Sequence, residues 1–408
     1  MSLEFNLISS DKYCTYITDG THGTHSNQES GKYLLSAKDI LDGNVHIKDN
    51  SRIISEDDFN KIHKNYKLEN YDVLLTVAGT IGRTAIIKNY ENNYTFQRSV
   101  AIFKTNDKIK SLWLYYYLNS PIGKQIIKSL SKGTTQLILP LKDLRNLEIP
   151  VPKNIVDQKK ILSVLTNIDK KIEINKKINK NLLRLSRALF KEFYMDKVES
   201  YDVKKYVTLD DVTSKFATGL NPRKNFVLGE GDNYYVTIKN MANNSIVLDD
   251  KCASITDEAL VKINKRSDLQ VGDLLFSGIG TIGRVHLIDE KPTNWNISES
   301  VFTMRPNELV SSEFLFIMLL SQEVQEYAKS LASGSVQKGI RMRDLKAFEF
   351  ILLNDEDKSH LDSLLIPIIA DMKINEKEIR KLTKLRDTLL PKLMSGEIDV
   401  SKINCDLE

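Results

Sequence analysis

Two stretches of the chain carry apolar residues at a spacing near 3.5. In the first they stand at Ile161, Leu165, Ile168, Ile172, Ile178, Leu182, Leu185 and Leu189, with Asn175 where one more belongs. In the second they stand at Leu361, Leu365, Ile368, Met372, Ile379, Leu382, Leu385 and Leu389, with Asn375 in the same slot. A stripe this narrow is the seam of a coiled coil rather than the broader face of a globular helix. It predicts two long helices that zip against each other, antiparallel, within one chain. At roughly 1.5 Å per residue each seam runs about 42 Å. Asn175 and Asn375 lie at the seam midpoints, so antiparallel packing predicts that their amides meet and fix the register. Pro367 argues that the second helix bends or begins properly only after it, since an interior proline removes a hydrogen bond and clashes with the preceding turn.

Outside the seams the period is mostly two, as in Val73-Leu74-Leu75-Thr76-Val77 and Thr84-Ala85-Ile86-Ile87, which predicts strands joined by glycine-bracketed turns. The chain also matches itself at a shift of about 200. Tyr33-Leu34-Leu35-Ser36-Ala37-Lys38-Asp39-Ile40 aligns with Tyr234-Tyr235-Val236-Thr237-Ile238-Lys239-Asn240-Met241. Gly79-Thr80-Ile81-Gly82-Arg83 recurs unchanged as Gly280-Thr281-Ile282-Gly283-Arg284, Ser99-Val100 returns as Ser300-Val301, and Gly133-Thr134-Thr135-Gln136 becomes Gly334-Ser335-Val336-Gln337. So many matches at one shift indicate an internal duplication, each copy a globular part followed by a seam helix. The boundaries fall at 1–153, 154–197, 198–354 and 355–408. One apolar helix interrupts the strands in each copy, Leu112 to Leu118 with Trp113, Tyr115, Tyr116 and Tyr117, and Phe314 to Leu320. Stacking on bases is one use of such aromatics, and burial in the core is the commoner one.

Composition narrows the function classes. With 41% hydrophobic and 27% charged residues the chain reads as an ordinary soluble protein, and a net charge of +4 confines any nucleic-acid surface to local patches. Cys14, Cys252 and Cys405 are odd in number and far apart, which suits a reducing cytoplasm better than a disulfide framework. The first residues have no signal-peptide pattern and no apolar run is long enough to span a bilayer, so the sequence predicts a cytoplasmic protein without a membrane partner. His22 and His25 have only Cys14 near them, too few ligands for zinc, and no catalytic constellation is identifiable.

One motif points elsewhere. Gly278-Ile279-Gly280-Thr281-Ile282-Gly283 satisfies the dinucleotide pattern G-x-G-x-x-G, and with Phe276 it resembles the opening of S-adenosylmethionine sites. Phosphate binding needs the last glycine to lead into a helix, whereas Arg284-Val285-His286-Leu287-Ile288 alternates like a strand. The first copy lacks the first glycine. A hairpin turn needing glycine backbone angles fits both copies. Thr80, Arg83, Thr281 and Arg284 beside that turn are candidate phosphate contacts. An S-adenosylmethionine or nucleotide enzyme built on Gly278 to Gly283 stays open as an alternative, as does a coiled-coil adaptor without DNA binding.

The motifs Asp19-Gly20-Thr21-His22-Gly23-Thr24, Gly133-Thr134-Thr135-Gln136, Ile149-Pro150-Val151-Pro152 with Asp157-Gln158, and Arg386-Asp387-Thr388-Leu389-Leu390-Pro391-Lys392-Leu393 with Gly396-Glu397-Ile398 together resemble the specificity subunits of type I restriction-modification systems, over essentially the whole chain. The resemblance implies an α+β protein: two similar target-recognition domains joined by two long antiparallel helices that form an intramolecular coiled coil. It implies a non-catalytic subunit that binds a bipartite site on double-stranded DNA and positions two methyltransferase subunits and often two restriction subunits. It implies no cofactor in this chain, S-adenosylmethionine being bound by the methyltransferase partners. The second copy departs from the pattern, with Thr218-Gly219-Leu220-Asn221 in place of Asp-Gly-Thr-His and Ile351-Leu352-Leu353-Asn354 at the exit.

Two modules on a rod of about 42 Å would reach half-sites roughly 12 base pairs apart, near one duplex turn. Residues shared by the copies should then serve frame and phosphates, and base readers should differ at matched positions. Gln97 and Arg98 face Ser298 and Glu299 across the repeat, and glutamine suits adenine, arginine guanine and glutamate cytosine; capping a strand edge is the other use of these residues. Lys132, Gln136, Lys338, Arg341 and Arg343 are the remaining candidate phosphate contacts.

Overall fold

The computed structural model describes residues 3–133, 137–242, 244–334, 338–401 and 403. The chain forms two compact units, Met1–Ile172 with Lys381–Glu408, and Glu173–Arg380.

In the first unit an antiparallel sheet runs in the order Tyr16–Asp19, Val100–Lys104, Val73–Thr76, Thr84–Ile86. A second sheet has Lys32–Leu35 between Ile53–Ile54 and Tyr94–Phe96, the last pair parallel. Phe5–Ser9 pairs with Glu148–Pro152. The second unit repeats this strand for strand. Its antiparallel sheet is Thr213–Thr218, Val301–Pro306, Leu274–Ser277, Val285–Leu287. Asn233–Val236 lies between Ala253–Ile255 and a parallel Trp295–Ile297, and Tyr206–Thr208 pairs with Glu349–Ile351. Central strands such as Val73–Thr76 and Leu274–Ser277 are buried on both faces, which is why they read as apolar runs and not as alternation.

The aromatic helix is core. Lys108–Asn119 is capped by the Asp107 carboxylate, and Trp113 is fully buried with its indole N–H on the Pro150 carbonyl at 2.8 Å. Ser312–Leu319 holds the same place, capped by Ser311. The structure adds helices that the strand pattern hid. Glu56–Asn65 and Asp257–Ser267 are short and polar, with Phe59 and Ile62, or Leu260 and Ile263, buried one turn apart behind Ser55 and Thr256 caps. A buried ion pair also recurs at the shift of 201. Lys104 binds Asp72 at 2.8 and 3.0 Å in the first unit, and Arg305 binds fully buried Asp273 at 2.8 and 3.0 Å in the second. Each carboxylate also accepts a backbone N–H, from Glu69 or Gln270 at 2.9 Å.

The long helices are Ile155–Ser200 and Asp355–Met394, and in each unit they pack antiparallel. Arg386 meets Asp169 at 3.0 Å in the first unit, and Asp169 also accepts from the Tyr116 hydroxyl at 2.7 Å. In the second unit Asn375 donates to Asn179 at 2.9 Å, Asn179 donates to the Met372 carbonyl at 2.9 Å, and Asn175 donates to Glu378 at 2.7 Å. The predicted Asn175–Asn375 pair therefore does not form, and the register is displaced by about one helical turn. The observed register joins Asp169 to Arg386 and Asn179 to Asn375, and the domains grip the helices as well, through Tyr116 on Asp169, Arg187 on the Leu320 carbonyl at 3.0 Å and Ser311 on Asp362 at 2.6 Å.

The inward positions also drift from the predicted seam. They run Ile161, Leu165, Ile168, Ile172, Asn175, Asn179, Leu183, Ser186, Phe190, Tyr194, leaving Ile178 and Leu185 exposed. Those nine steps average about 3.7 residues, close to a straight helix. The second helix does the same, burying Ile369 in place of Ile368 and exposing Leu385. It is continuous through Pro367, which lies on its exposed face. There the carbonyl that loses its partner faces water, where its loss is cheapest.

Candidate nucleic-acid interface

Strand polarity brings one set of ends together in each unit. In the first unit the C-terminal ends of Tyr16–Asp19, Lys32–Leu35, Val73–Thr76 and Tyr94–Phe96 meet the N-terminal ends of Val100–Lys104 and Thr84–Ile86. The loops leaving those ends form one cluster, held by backbone hydrogen bonds. Val77 N–H donates to Ser99 at 2.9 Å, Gln97 to Leu35 at 2.8 Å, Thr21 to Phe96 at 2.8 Å and Arg98 to Thr21 at 3.1 Å. The second unit has the counterparts, with Gly278 donating to Ser300 at 2.9 Å and Ser298 to Val236 at 2.8 Å.

The glycine turn is a hairpin in both copies. Gly79, Gly82, Gly280 and Gly283 have φ of 76°, 89°, 80° and 92°, backbone that glycine adopts without strain. Thr76 and Ser277 close the turn from inside, each hydroxyl accepting the N–H of Arg83 or Arg284 at 2.9 and 2.8 Å. Gly283 leads into the strand Val285–Leu287, not a helix. The extra glycine of the second copy has a packing reason. A side chain at Gly278 would stand 2.3 Å from the Phe302 ring, and the matched residues of the first copy are Val77 and Ala101, both buried. Between the copies the loss of the valine side chain at Gly278 accompanies the gain of the Phe302 ring in place of alanine, a compensating change of size, so G-x-G-x-x-G here records core packing and not a cofactor loop.

Beside the turn, the segment after the helix Pro121–Leu130 folds back on itself, as does the one after Gln322–Ser330 in the second unit. Lys132 and Ile138 exchange backbone hydrogen bonds at 2.8 Å, and Leu139 N–H donates to Val77 at 2.9 Å. Ser333 and Gly339 do likewise at 3.0 and 2.9 Å, Ile340 N–H donates to Gly278 at 2.8 Å, and Gly280 N–H donates to Lys338 at 2.7 Å. Gln136 lies outside the described residues.

The loop after the first sheet strand docks on the cluster through a matched glycine. A Cβ on Gly20 would lie 2.1 Å from the Phe96 carbonyl oxygen, and one on Gly219 1.7 Å from that of Ile297. The second copy thus keeps the close approach although its motif reads Thr218-Gly219-Leu220-Asn221.

The candidate residues fare differently. Thr80, Thr281, Arg98, Lys338 and Arg341 are exposed on or beside the cluster, and Gln97 and Glu299 are half-buried. Exposed Lys132 pairs with half-buried Asp143 at 2.6 Å and exposed Arg343 with half-buried Asp344 at 3.2 Å, and pairs with a solvated cation are weak. Arg284 is turned inward, donating to the Ile238 carbonyl at 2.6 Å and to that of Met241, and Arg83 reaches the Ile40 carbonyl at 3.5 Å. These two arginines tie the glycine turn to the next loop and do not project from it. Ser298 is 2% exposed and bonded to the Ser300 hydroxyl at 2.6 Å, so it cannot read a base.

Two cations went unnoticed in the sequence. Lys38 and Lys239 sit on matched 3-10 turns, exposed, behind capping boxes formed by Ser36 with Asp39 and Thr237 with Asn240. Their signal was present: a lysine retained inside the best-aligned block, next to a buried cap. Tyr235 and Asn221 were missed as well. Asn221 donates to Glu299 at 2.9 Å, and the Tyr235 hydroxyl stands 2.8 Å from the other Glu299 oxygen. Burial first, and then the Glu299 carboxylate, hold the Tyr235 hydroxyl protonated well above its ordinary range.

A family described as the type I restriction modification DNA specificity domain matches twice, over residues 21–184 and 202–384. Among curated relatives, the MjaIX type I restriction enzyme specificity subunit of Methanocaldococcus jannaschii is 25% identical, over 81% of this chain and 78% of the relative. The HindI specificity subunit of Haemophilus influenzae is 23% identical, over 78% of this chain and 84% of the relative. The EcoBI specificity subunit of Escherichia coli is 30% identical over 44% of this chain and 37% of the relative. In fold, the chain is similar to the crystal structure of a type I restriction-modification S subunit from M. genitalium, with a TM-score of 0.51 at 17% identity and 96% coverage of both. With both copies matched, the chain belongs to the type I restriction-modification DNA specificity family and is a DNA sequence-recognition subunit.

Proposed function

We propose that each loop cluster reads one half of a bipartite site on duplex DNA, and that the long helices between the domains seat two methyltransferase subunits and, where the system has them, two restriction subunits. The chain itself does no chemistry in this reading. S-adenosylmethionine belongs to the methyltransferase partners, and the assembly works in the cytoplasm. One observation carries the reading: the same cluster is built twice from matched strand ends, with a lysine repeated at its rim and different side chains at its centre. Repeated cations suit phosphates, which are the same at every site, and differing side chains suit bases.

The test is a salt titration of duplex binding by the chain assembled with its partners. Lys38→Ala and Lys239→Ala should each lower the slope of log affinity against log salt by about 0.9, with sequence preference intact. Unchanged slopes for both variants would remove these lysines from the interface. Binding without preference for any sequence would overturn the recognition role of the clusters.

A further inference from the structure

The two copies build one turn with opposite chemistry. In the first unit the turn presents Arg98, exposed and with no side-chain partner among the described residues, beside half-buried Gln97. In the second unit the matched position is Glu299, whose carboxylate is held in place. Asn221 donates to one oxygen at 2.9 Å, and Asn221 is itself fixed by accepting the Arg223 N–H at 2.9 Å. Tyr235, 2% exposed, approaches the other oxygen at 2.8 Å and the Leu220 carbonyl at 2.7 Å. Its ring is braced by Phe226 in an edge contact at 5.5 Å.

The donor count is short. A tyrosine hydroxyl has one proton, and here it faces two acceptors; an ionised carboxylate has about four lone-pair sites. Asn221 and Tyr235 together satisfy at most half of them. The carboxylate is therefore oriented and still in want of donors. Exposed Arg223 and Lys224 follow Asn221 on the same loop, and exposed Lys239 follows the strand that carries Tyr235, cations that suit phosphate. An acid in that setting repels the backbone unless an amino group comes to meet it.

We propose that Glu299, oriented by Tyr235 and Asn221, accepts from the exocyclic amino group of a cytosine in the second half-site, while Arg98 donates to a guanine in the first. This rests on the clusters being the DNA-reading surfaces. Major-groove edges offer the matching groups, the cytosine N4 amino and the guanine O6 and N7. Tyr235 and Asn221 are positioning residues, since they act through the carboxylate and do not touch the base.

The experiment maps methylated motifs made by the complete methyltransferase complex in cells carrying each variant. Glu299→Gln keeps the size and the hydrogen bond to Asn221 but replaces one acceptor with a donor. It should relax or change one base pair of the second half-site, with roughly a 5- to 150-fold loss of discrimination there, and leave the first untouched. Arg98→Gln should do the reverse. Tyr235→Phe should keep the motif and weaken discrimination at the same pair only, an effect a mere strut between loops would not give. Folded E299Q and R98Q complexes that both methylate the wild-type motif with wild-type discrimination would overturn the proposal. If E299Q fails to assemble, Asn221→Ala serves in its place, and undiminished discrimination in it is equally decisive. A wild-type complex with no two-part motif would instead refute the reading of the clusters as DNA-binding.

Discussion

Gly219→Ala is the most exposed consequence of the docking seen in the second unit. The added carbon would stand 1.7 Å from the Ile297 carbonyl oxygen and 2.9 Å from the Ser298 carbonyl carbon. Both obstacles are backbone, so no side chain can rotate away. Ordinary contact begins at 3.4 Å, so the loop must retreat by about 1.7 Å. Overpacking of this kind costs about 1–3 kcal/mol, and the upper end applies where backbone blocks the way. For a domain of this size that lowers Tm by about 5–10 °C. The retreating loop carries Asn221, so Glu299 loses one of its supports. Thermal unfolding of the chain, paired with binding to duplexes altered in one half-site at a time, checks both effects. Selectivity should fall at the second half-site and hold at the first. A G219A variant with wild-type melting and wild-type selectivity would refute the docking. Gly20→Ala should give the mirror outcome, with its Cβ 2.1 Å from the Phe96 carbonyl oxygen.

Asp273→Asn should cost about 1–3 kcal/mol in a melt, because the fully buried carboxylate loses its charge opposite Arg305, which keeps Asp268 at 3.5 Å; Asp72→Asn should cost less, since Lys104 keeps Glu69 at 3.0 Å. His286 is buried with its Nδ1 2.8 Å from the Asn244 carbonyl, and burial pushes its pKa down from 6.5 to about 3. The unfolded chain therefore binds a proton that the folded chain does not, and the stability due to neutral His286, complete above pH 6.5, should fall by roughly 1.4 kcal/mol per pH unit below it. Denaturant titrations between pH 7.5 and 4.5 should show that slope, and it should flatten in His286→Asn. Asn375→Ala should destabilise the helix pair by about 1–3 kcal/mol by leaving Asn179 without its donor, and Asn179→Ala should cost at least as much in the same denaturant titration, since it also removes the bond to the Met372 carbonyl.

The duplication was legible because its signals are local. Gly79 and Gly82 must recur where Gly280 and Gly283 do, since the turn needs their backbone angles. The helices were legible as helices but not in register. Apolar spacing counted Ile178 and Leu185 as inward, yet polar Asn179 and Ser186 take those places, because each helix follows its own pitch while the domains anchor it through Asp169 and Arg187. No single-helix pattern contains that information. At the candidate interface, matched differences point to Gln97, Arg98, Ser298 and Glu299 alike. They could not tell that Ser298 is buried, or that Arg284 is spent on the carbonyls of Ile238 and Met241. Tyr235 escaped because a tyrosine in a strand reads as core, which its ring is; only the fold brings its hydroxyl to Glu299.

The central claim, that one recognition fold written twice reads two separated half-sites, meets its most direct test in long-read mapping of methylated DNA from cells with and without this chain, and with Gln97 and Arg98 exchanged for serine and glutamate. The account predicts a motif of two specified parts around an unread gap of fixed length, absent without the chain, and altered in one part alone by the exchange. A single uninterrupted motif, or a two-part motif that both parts keep after the exchange, would contradict it.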